Sequence, residues 1–147
     1  MLTKINIPIK KLLTDAIIPT YATDGSAGFD FHTIVDTVVW EGETQLIRTG
    51  LSMEIPIGYE LQVRPRSGLS LSTKLRVANS PGTIDSDYRG EIKIIIENIG
   101  DDEVLIDQGD RIAQGVLCKV PQANFIEVDK LDETERGGCG FGHTGKN

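Results

Sequence analysis

An all-β fold, either a sandwich or a barrel, is predicted for this chain of 147 residues. Apolar residues alternate with polar ones in several short runs, which is the pattern of strands with one buried face. Turn-forming glycine and proline residues separate these runs at short intervals. Apolar residues at helical spacing are almost absent. Together these three observations indicate many short strands and little helix.

The strand predictions follow the alternating runs along the chain. In EIKIIIEN, Ile92, Ile94 and Ile96 share one face of the predicted strand, whereas Ile95 points to the other. Six further runs predict strands: residues 5–9, DTVVW (36–40), TQLIRTGLSMEI (44–55), YELQVRP (59–65), EVLIDQGDRIAQGVLCKV (103–120) and FIEVDKL (125–131).

One short helix is predicted in SGLSLSTKL, residues 67–75. Ser67 is a favourable N-cap residue, because its hydroxyl can accept a hydrogen bond from a backbone N–H of the first turn. Leu69, Leu71 and Leu75 are expected to turn inward.

The C-terminal end differs in composition from the rest of the chain. From Arg136 it reads RGGCGFGHTGKN, in which glycine dominates and too few apolar residues remain to build a core. Such a segment is expected to be flexible until something orders it. The sequence therefore predicts one β domain over residues 1–134 and a flexible C-terminal lid segment over residues 135–147.

Charge and composition exclude several classes of partner. The net charge of −7 argues against a nucleic acid or an anionic membrane as partner. No apolar stretch approaches the roughly 20 residues that span a bilayer, and the N-terminus lacks a signal-peptide pattern. We therefore expect a cytoplasmic protein. Its acidity also means that a polyphosphate ligand would need local cations, and a divalent metal is the natural choice.

Five short motifs supply the chemistry of a nucleotide phosphate site. They contain carboxylates, arginines, amide donors and glycines, and each lies where an alternating run is interrupted or ends. The motifs are AGFD (27–30), PRSG (65–68), GTIDSDYRGE (82–91), GDRIAQG (109–115) and RGGCGFGHTG (136–145).

The third motif permits two interpretations. It could be a solvated hairpin turn and nothing more. Alternatively, Asp85 and Asp87 lie on the same side of a strand and Tyr88 on the other. In that case an aspartate at the hairpin base could orient a water molecule for attack on phosphorus. The tyrosine ring could then form one wall of a sugar pocket.

The second and fourth motifs can provide phosphate donors. Ser67 and the amides of a helix N-terminus favour an anion, and Arg66 adds positive charge. The amide of Gln114 is a flexible donor, while Arg111 is more simply explained by an ion pair with Asp110 or another carboxylate. Both segments could also be ordinary turns.

The tail comes close to a P-loop but does not match one. GFGHTGKN ends in Asn147 where the P-loop pattern requires Ser or Thr, and no strand precedes it. A glycine-rich lid that surrounds phosphates with backbone N–H groups is the better interpretation. Arg136 would anchor charge in that lid, and Phe141 would stack on a ligand.

All five motifs, in this order and spacing, resemble the trimeric dUTP diphosphatase (dUTPase) family, over about residues 4–145. The resemblance implies a jelly-roll-like β-sandwich and a homotrimer whose active sites are shared between subunits. It implies Mg²⁺-assisted hydrolysis of dUTP to dUMP and pyrophosphate, by attack of water on the α-phosphorus. That reaction would limit uracil in DNA and supply dUMP for thymidylate synthesis.

The resemblance also implies a role for each site residue. Asp85 would activate the attacking water, Tyr88 would lie against the deoxyribose, and Asp30 would act through water on magnesium. The residues expected to bind uracil are Asn79 with the backbone around Gly82 and Ile84. Those expected to bind phosphate or close over the substrate are Arg66, Ser67, Gly68, Gln114, Arg136, Phe141, Gly142, His143 and Thr144.

The tail departs from the family pattern at two positions. Cys139 replaces a glycine and His143 replaces a serine of the usual RGxGGFGSTG sequence. Cysteine would be strained if that position requires a positive φ. We expect that the tail still closes.

Two alternatives remain open from the sequence. A dCTP deaminase shares the implied fold, and Glu91 and Glu97 could serve there as proton-transfer carboxylates. The tyrosine in the third motif and the complete tail argue against it. The second alternative is a β-sandwich that senses nucleotides or binds a protein without catalysis.

Overall fold

The computed structural model describes residues 4–140, and within them it contains ten strands and one helix. The strands are β1 (Ile9–Lys11), β2 (Phe29–His32), β3 (Thr37–Val39), β4 (Thr44–Met53), β5 (Tyr59–Arg64), β6 (Leu75–Val77), β7 (Gly82–Ile84), β8 (Ile92–Asn98), β9 (Val104–Ile106) and β10 (Arg111–Lys119). The helix is α1 (Ser67–Ser72).

The strands form a jelly-roll-like sandwich, as predicted. One four-stranded sheet has the order β1-β4-β8-β6, a second has the order β2-β10-β5-β7, and β3 pairs with β9. Every pairing between these strands is antiparallel. A single apolar core takes residues from both larger sheets, among them Phe31, Leu61, Ile94, Ile96 and Ile112. Burial of these side chains supplies the main stabilisation of the fold.

Most of the predicted strands are confirmed. In β8, Ile92, Ile94 and Ile96 are buried while Ile95 is only half-buried, as the alternation indicated. At the N-terminus the pattern is only partly realised as a strand, because β1 begins at Ile9. The strand prediction for FIEVDKL is wrong: residues 125–131 are exposed and form no strand.

The helix forms where it was predicted, but its details differ. Its N-cap is Arg66 rather than Ser67, and no side chain caps it. Leu71 is 90% exposed, contrary to expectation. Leu75 is buried, but as part of β6. A helix of six residues has too few turns to bury a complete apolar face, so its leucines do not act together.

The strands of the second sheet carry parts of three motifs, and β5 leads directly into a fourth, PRSG. Across β2 and β10, Asp30 pairs with Gln114, and across β10 and β5, Gln114 pairs with Arg64. One step along, Val63 of β5 lies between Gly115 of β10 and Gly82 of β7. The first, fourth, second and third motifs therefore follow one another across this sheet, with neighbouring strands about 5 Å apart.

Candidate functional site

A carboxylate with two arginines lies at the end of β2. Oδ1 of Asp30 accepts a hydrogen bond from Nε of Arg66 at 2.8 Å, and its Oδ2 lies 3.4 Å from Nη1 of Arg111. Arg66 also donates to the carbonyl oxygen of Arg111 at 3.2 Å. Both members of the Asp30–Arg66 pair are about one-quarter exposed. The group thus presents two cations and one anion where a phosphate can reach them.

Gln114 joins the second and fourth motifs. Its Nε2 donates to the carbonyl oxygen of Pro65 at 2.9 Å. A Cβ at Gly28 would come within 2.5 Å of the Gln114 Oε1, so a side chain there would displace this amide. Gln114 is therefore held against the PRSG segment, and the glycine of the first motif makes room for it.

Ser67 and Gly68 lie in the first turn of α1 and are exposed. Next to them is an open cavity of about 450 Å³, lined by Arg66, Gly68, Arg111 and apolar residues of β6, β9 and β10. The structure thus brings Ser67, Gly68 and Arg66 to one end of the sheet, beside Asp30.

A second cavity, of about 330 Å³, lies around the third motif. The predicted residues Asn79, Ile84, Asp85 and Tyr88 line it, and Asp85 and Tyr88 are exposed. The amide of Asn79 lies against Gly82, where a Cβ would approach its Nδ2 to 3.1 Å. These five residues therefore gather at one place.

The third motif does not form the predicted hairpin. Its strand, β7, pairs with β5, whereas the strand that follows it, β8, belongs to the other four-stranded sheet. Asp85 follows the last residue of β7, and the N–H of Tyr88 donates to the carbonyl oxygen of Asp85 at 3.2 Å in a turn. Asp85 and Asp87 thus lie in a loop that crosses between sheets, not on one side of a strand.

Four residues of this cavity were not predicted: Leu46, Thr83, Lys93 and Ile95. Leu46 and Ile95 face each other across β4 and β8, which lie in the other sheet from β7. No local pattern could have identified them, because the approach of two sheets is not visible in a single segment. Glu91, which the sequence offered only for a deaminase, also lines the cavity.

His32 lies in β2, two residues after Asp30. Burial lowers the pKa of His32 below its ordinary value of 6.5; Asp30 opposes that change, and Arg111 and Arg66 add to it. Its Nδ1 is buried and has no hydrogen-bond partner among residues 4–140. The local environment therefore favours the neutral ring.

The tail is described only as far as Gly140. Nε of Arg136 donates to the carbonyl oxygen of Cys139 at 2.8 Å, and both residues are exposed. Arg136 is thus held within its own turn, and within residues 4–140 no hydrogen bond or ion pair joins it to another predicted site residue. The remaining predictions for this segment lie outside the described residues: Phe141, Gly142, His143 and Thr144.

Two features of the described part of the chain bear on metals and membranes. Within residues 4–140, three or more His, Cys, Asp or Glu side chains nowhere group together as they would to hold a metal ion. The one helix in this part of the chain is too short to cross a bilayer.

Comparisons with known proteins agree with this geometry. The family model described as dUTPase matches residues 14–145. The deoxyuridine 5'-triphosphate nucleotidohydrolase of Nautilia profundicola is 53% identical over 140 residues, covering 95% of this chain and 99% of that protein. The dUTPase of Staphylococcus bacteriophage 80alpha, solved with dUPNHPP, is 27% identical with a TM-score of 0.89, covering 95% of this chain and 98% of that one.

A more distant structure shares the fold. A mutant dUTPase from phage phi11 of S. aureus, described with a structural Mg(II) ion, has a TM-score of 0.82 at 23% identity. The match covers 87% of this chain and 99% of the phage chain. At that identity the likeness supports the fold alone.

Proposed function

The chain belongs to the dUTPase family, whose members are enzymes that hydrolyse dUTP and release pyrophosphate, and on this premise we propose how its residues carry out that reaction. The observation that carries the proposal is the order β2-β10-β5-β7. This order carries parts of the first and fourth motifs on β2 and β10, places the second motif directly after β5, and begins the third motif on β7.

Asp85 is the proposed activator of the attacking water. It is exposed, it directly follows β7, and it lines the 330 Å³ cavity. An ionised carboxylate can accept a hydrogen bond from water and aim its lone pair at the α-phosphorus. Since a carboxylate is a weak base, positioning of the water contributes more than proton abstraction.

Recognition of the nucleoside is assigned to the same cavity. Asn79 and the backbone of Gly82 and Ile84 would pair with the edge of uracil. Cytosine would leave such groups unpaired, at a cost of about 1–3 kcal/mol for each buried group. The ring of Tyr88 would lie against the deoxyribose, where a 2′-hydroxyl would collide with it.

The phosphates are assigned to the cluster around Asp30. Arg66, Ser67, Gly68 and Gln114 supply charge and donors at the end of the sheet. These groups would bind the triphosphate and stabilise charge that develops on the leaving pyrophosphate.

The residues present fit one Mg²⁺ held mainly by substrate. Magnesium commonly keeps several waters and binds through one or two carboxylates plus phosphates. Asp30 is the carboxylate at the phosphate-binding end and would contact the ion through water. When bound, the ion would neutralise the triphosphate and polarise its phosphoryl oxygens.

The tail is proposed to complete the site as a lid. Arg136 would contact the γ-phosphate, Phe141 would cover the uracil, and Thr144, with Gly142 and His143, would donate to the phosphate chain. Closure would exclude bulk water from the reacting phosphorus.

A homotrimer with shared sites is proposed from the exposure of the C-terminal arm, which we define as residues 121–140. Every residue of this arm is exposed, including Phe125 at 94% and Leu131 at 80%. Its recorded side-chain hydrogen bonds stay within the arm. Apolar side chains presented in this way mark a surface that another chain covers. We assign this role to a neighbouring copy of the same chain, because identical subunits can cover one another's arms in a closed, symmetric assembly.

Assembly can be tested by mass measurement. Phe125→Ser with Leu131→Ser should lower the mass found by sedimentation from a trimer towards a monomer. Lys130→Ser, in the same arm and 77% exposed at its side chain, is the matched control and should remain trimeric. A wild-type monomer would contradict the shared site.

The deaminase alternative is disfavoured by the surroundings of Glu91. Its carboxylate accepts hydrogen bonds from Arg48 and from the N–H of Gly50, so it is not a free base. The cytoplasmic location and the metabolic role expected above are part of the proposal.

Pyrophosphate release tests the function directly. dUTP, dCTP, dTTP and UTP should be offered in parallel with Mg²⁺, and we expect release from dUTP alone. Ammonia from dCTP would indicate a deaminase. Tight binding of dUTP without hydrolysis would indicate the sensor.

A further inference from the structure

The loop that carries Asp85 and Tyr88 has no strand pairing of its own. Residues 85–91 connect β7 in one sheet to β8 in the other, and most of them are exposed. A loop of this kind would sample several conformations unless other contacts hold it. Catalysis needs the opposite, because a displacement of about 1 Å in a positioned group can lower a rate by about 100-fold.

An ion pair at the end of this loop supplies such a contact. Nε of Arg48 lies 3.1 Å from both carboxylate oxygens of Glu91, and the N–H of Gly50 donates to Glu91 Oε1 at 2.9 Å. The Glu91 side chain is only 10% exposed. A carboxylate with a charged donor and a backbone donor has one strongly preferred position.

The β4 strand is built to present these two donors. Its register with β8 shifts between Arg48 and Leu51, so that Thr49 and Gly50 form a bulge. Gly50 has a φ of +68°, a conformation that favours glycine. The bulge turns the Gly50 N–H towards Glu91. In an unbroken ladder this N–H would instead have taken part in the pairing with β8.

Glu91 is coupled to Tyr88 through the backbone. The hydroxyl of Tyr88 donates to the carbonyl oxygen of Glu91 at 2.9 Å. A Cβ at Gly90 would lie 2.6 Å from Tyr88 Cζ, so the ring occupies the space that this glycine leaves. The Tyr88 N–H in turn bonds to the Asp85 carbonyl oxygen. A shift of Glu91 would therefore move Tyr88 and, through the turn, Asp85.

A second anchor acts on the same loop from the same strand. Oγ of Ser52 donates to the carbonyl oxygen of Arg89 at 2.7 Å. By contrast, the Arg89–Glu54 ion pair is long, at 3.8 Å, and both side chains are more than half exposed. An exposed pair of this kind holds a loop only weakly.

We propose that Arg48 and Glu91, with the Gly50 N–H, form a clamp that fixes the 85–91 loop, and that both are positioning residues for dUTP hydrolysis. This role rests on the proposed function of Asp85 and Tyr88. Neither residue of the clamp is assigned a contact with the reacting atoms. The clamp acts on the geometry of Asp85, which is proposed to activate the water, and of Tyr88, which is proposed to contact the deoxyribose.

The test compares kcat and KM for Glu91→Gln and Arg48→Met with those for Glu54→Gln. We expect kcat to fall about 10- to 100-fold in the first two, with KM for dUTP changed by less than about threefold. The double variant should lose less than the product of the single effects, because both changes release one clamp. Glu54→Gln, which removes the exposed pair on the same loop, should keep wild-type kcat.

Arg48→Lys should restore part of the lost kcat, since it keeps the charge. The ratio of kcat/KM for dUTP to kcat/KM for UTP should fall in Glu91→Gln, because a displaced Tyr88 ring excludes the 2′-hydroxyl less well. Melting temperature and trimer mass, measured on the same samples, separate positioning from folding. If Arg48→Met or Glu91→Gln prevents folding, Arg48→Lys and Ser52→Ala decide the question, and each should lower kcat by at least about threefold.

The outcomes separate this role from the function itself. Active wild-type protein with kcat unchanged in the clamp variants, whether or not their melting temperatures fall, would overturn the clamp and leave the function intact. Wild-type protein that releases no pyrophosphate from dUTP would overturn the proposed function and the clamp with it. If the clamp variants and Glu54→Gln lost kcat equally, the loss would reflect the charge around the loop in general. That result would also overturn the proposal.

Discussion

Asp30 and Arg66 are joined by a 2.8 Å hydrogen bond between a carboxylate and a guanidinium, both about one-quarter exposed. Asp30 lies in β2 and Arg66 lies just after β5, 36 residues further along the chain. The pair brings an anion suited to magnesium and a cation suited to phosphate into one position. Each charge therefore holds the other in place before a ligand arrives.

Changing Asp30 should alter the metal requirement. Asp30→Asn keeps the size of the side chain but removes its charge, so we expect the Mg²⁺ concentration for half-maximal activity to rise about 10-fold. Activity at increasing Mg²⁺ measures this. In chelator, the variant should bind a non-hydrolysable dUTP analogue at least as tightly as wild type, because Arg66 has lost its competing partner. An unchanged Mg²⁺ requirement would remove Asp30 from its metal role.

Changing Asp85 should abolish turnover without abolishing binding. Asp85→Asn cannot accept a proton in the same way, and we expect kcat to fall about 100- to 10,000-fold. Calorimetric affinity for the non-hydrolysable analogue should change by less than about threefold. Asp87→Asn is the matched control, since Asp87 is exposed in the same loop, and it should keep near-wild-type kcat. Substantial activity in Asp85→Asn would assign the water to another group.

Removing the tail should stop turnover and leave the body folded. A chain that ends at Glu135 loses Arg136 and the glycine-rich segment; the described residues of this segment, 136–140, pair with no strand. We expect kcat/KM to fall at least about 100-fold, while melting temperature and sedimentation stay close to wild type. Loss of the trimer on truncation would make this segment part of the assembly contact instead.

His32 should make stability depend on pH. Burial lowers its pKa in the folded protein below the 6.5 of the unfolded chain, so the unfolded chain binds more protons between these two values. Stability should therefore rise with pH through that window and fall as the pH drops below about 6.5. Melting temperatures in chelator, from about pH 7.5 to about pH 5.5, should fall more steeply for wild type than for His32→Gln. Parallel curves would show that His32 contributes nothing to this dependence.

Much of the fold could be predicted because it depends on local patterns. Alternation in EIKIIIEN identified both the strand and its buried face, since period 2 places every second side chain in the core. The same rule failed for FIEVDKL, where Phe125 is 94% exposed. Alternation indicates a face that needs covering, but it does not say which chain covers it.

The candidate site was predictable as a set of residues but not as an arrangement. Motifs identified Asp85, Tyr88 and Gln114, because their chemistry is visible in the residue types. The partner of β7 is β5 rather than β8, and pairing between distant segments leaves no signal in either one. Arg48 was missed for the same reason, since its contact with Glu91 spans 43 positions of the chain.

The position of the C-terminal arm bears on how the protein is made. The last strand, β10, ends at Lys119, so every strand in the described residues precedes the arm in the chain. Synthesis proceeds from the N-terminus, and a domain can fold as its last segment emerges. The segments that form both four-stranded sheets are therefore synthesised before Phe125 and Leu131. The exposed apolar side chains of the arm are thus added to a chain that already contains every strand of the two sheets.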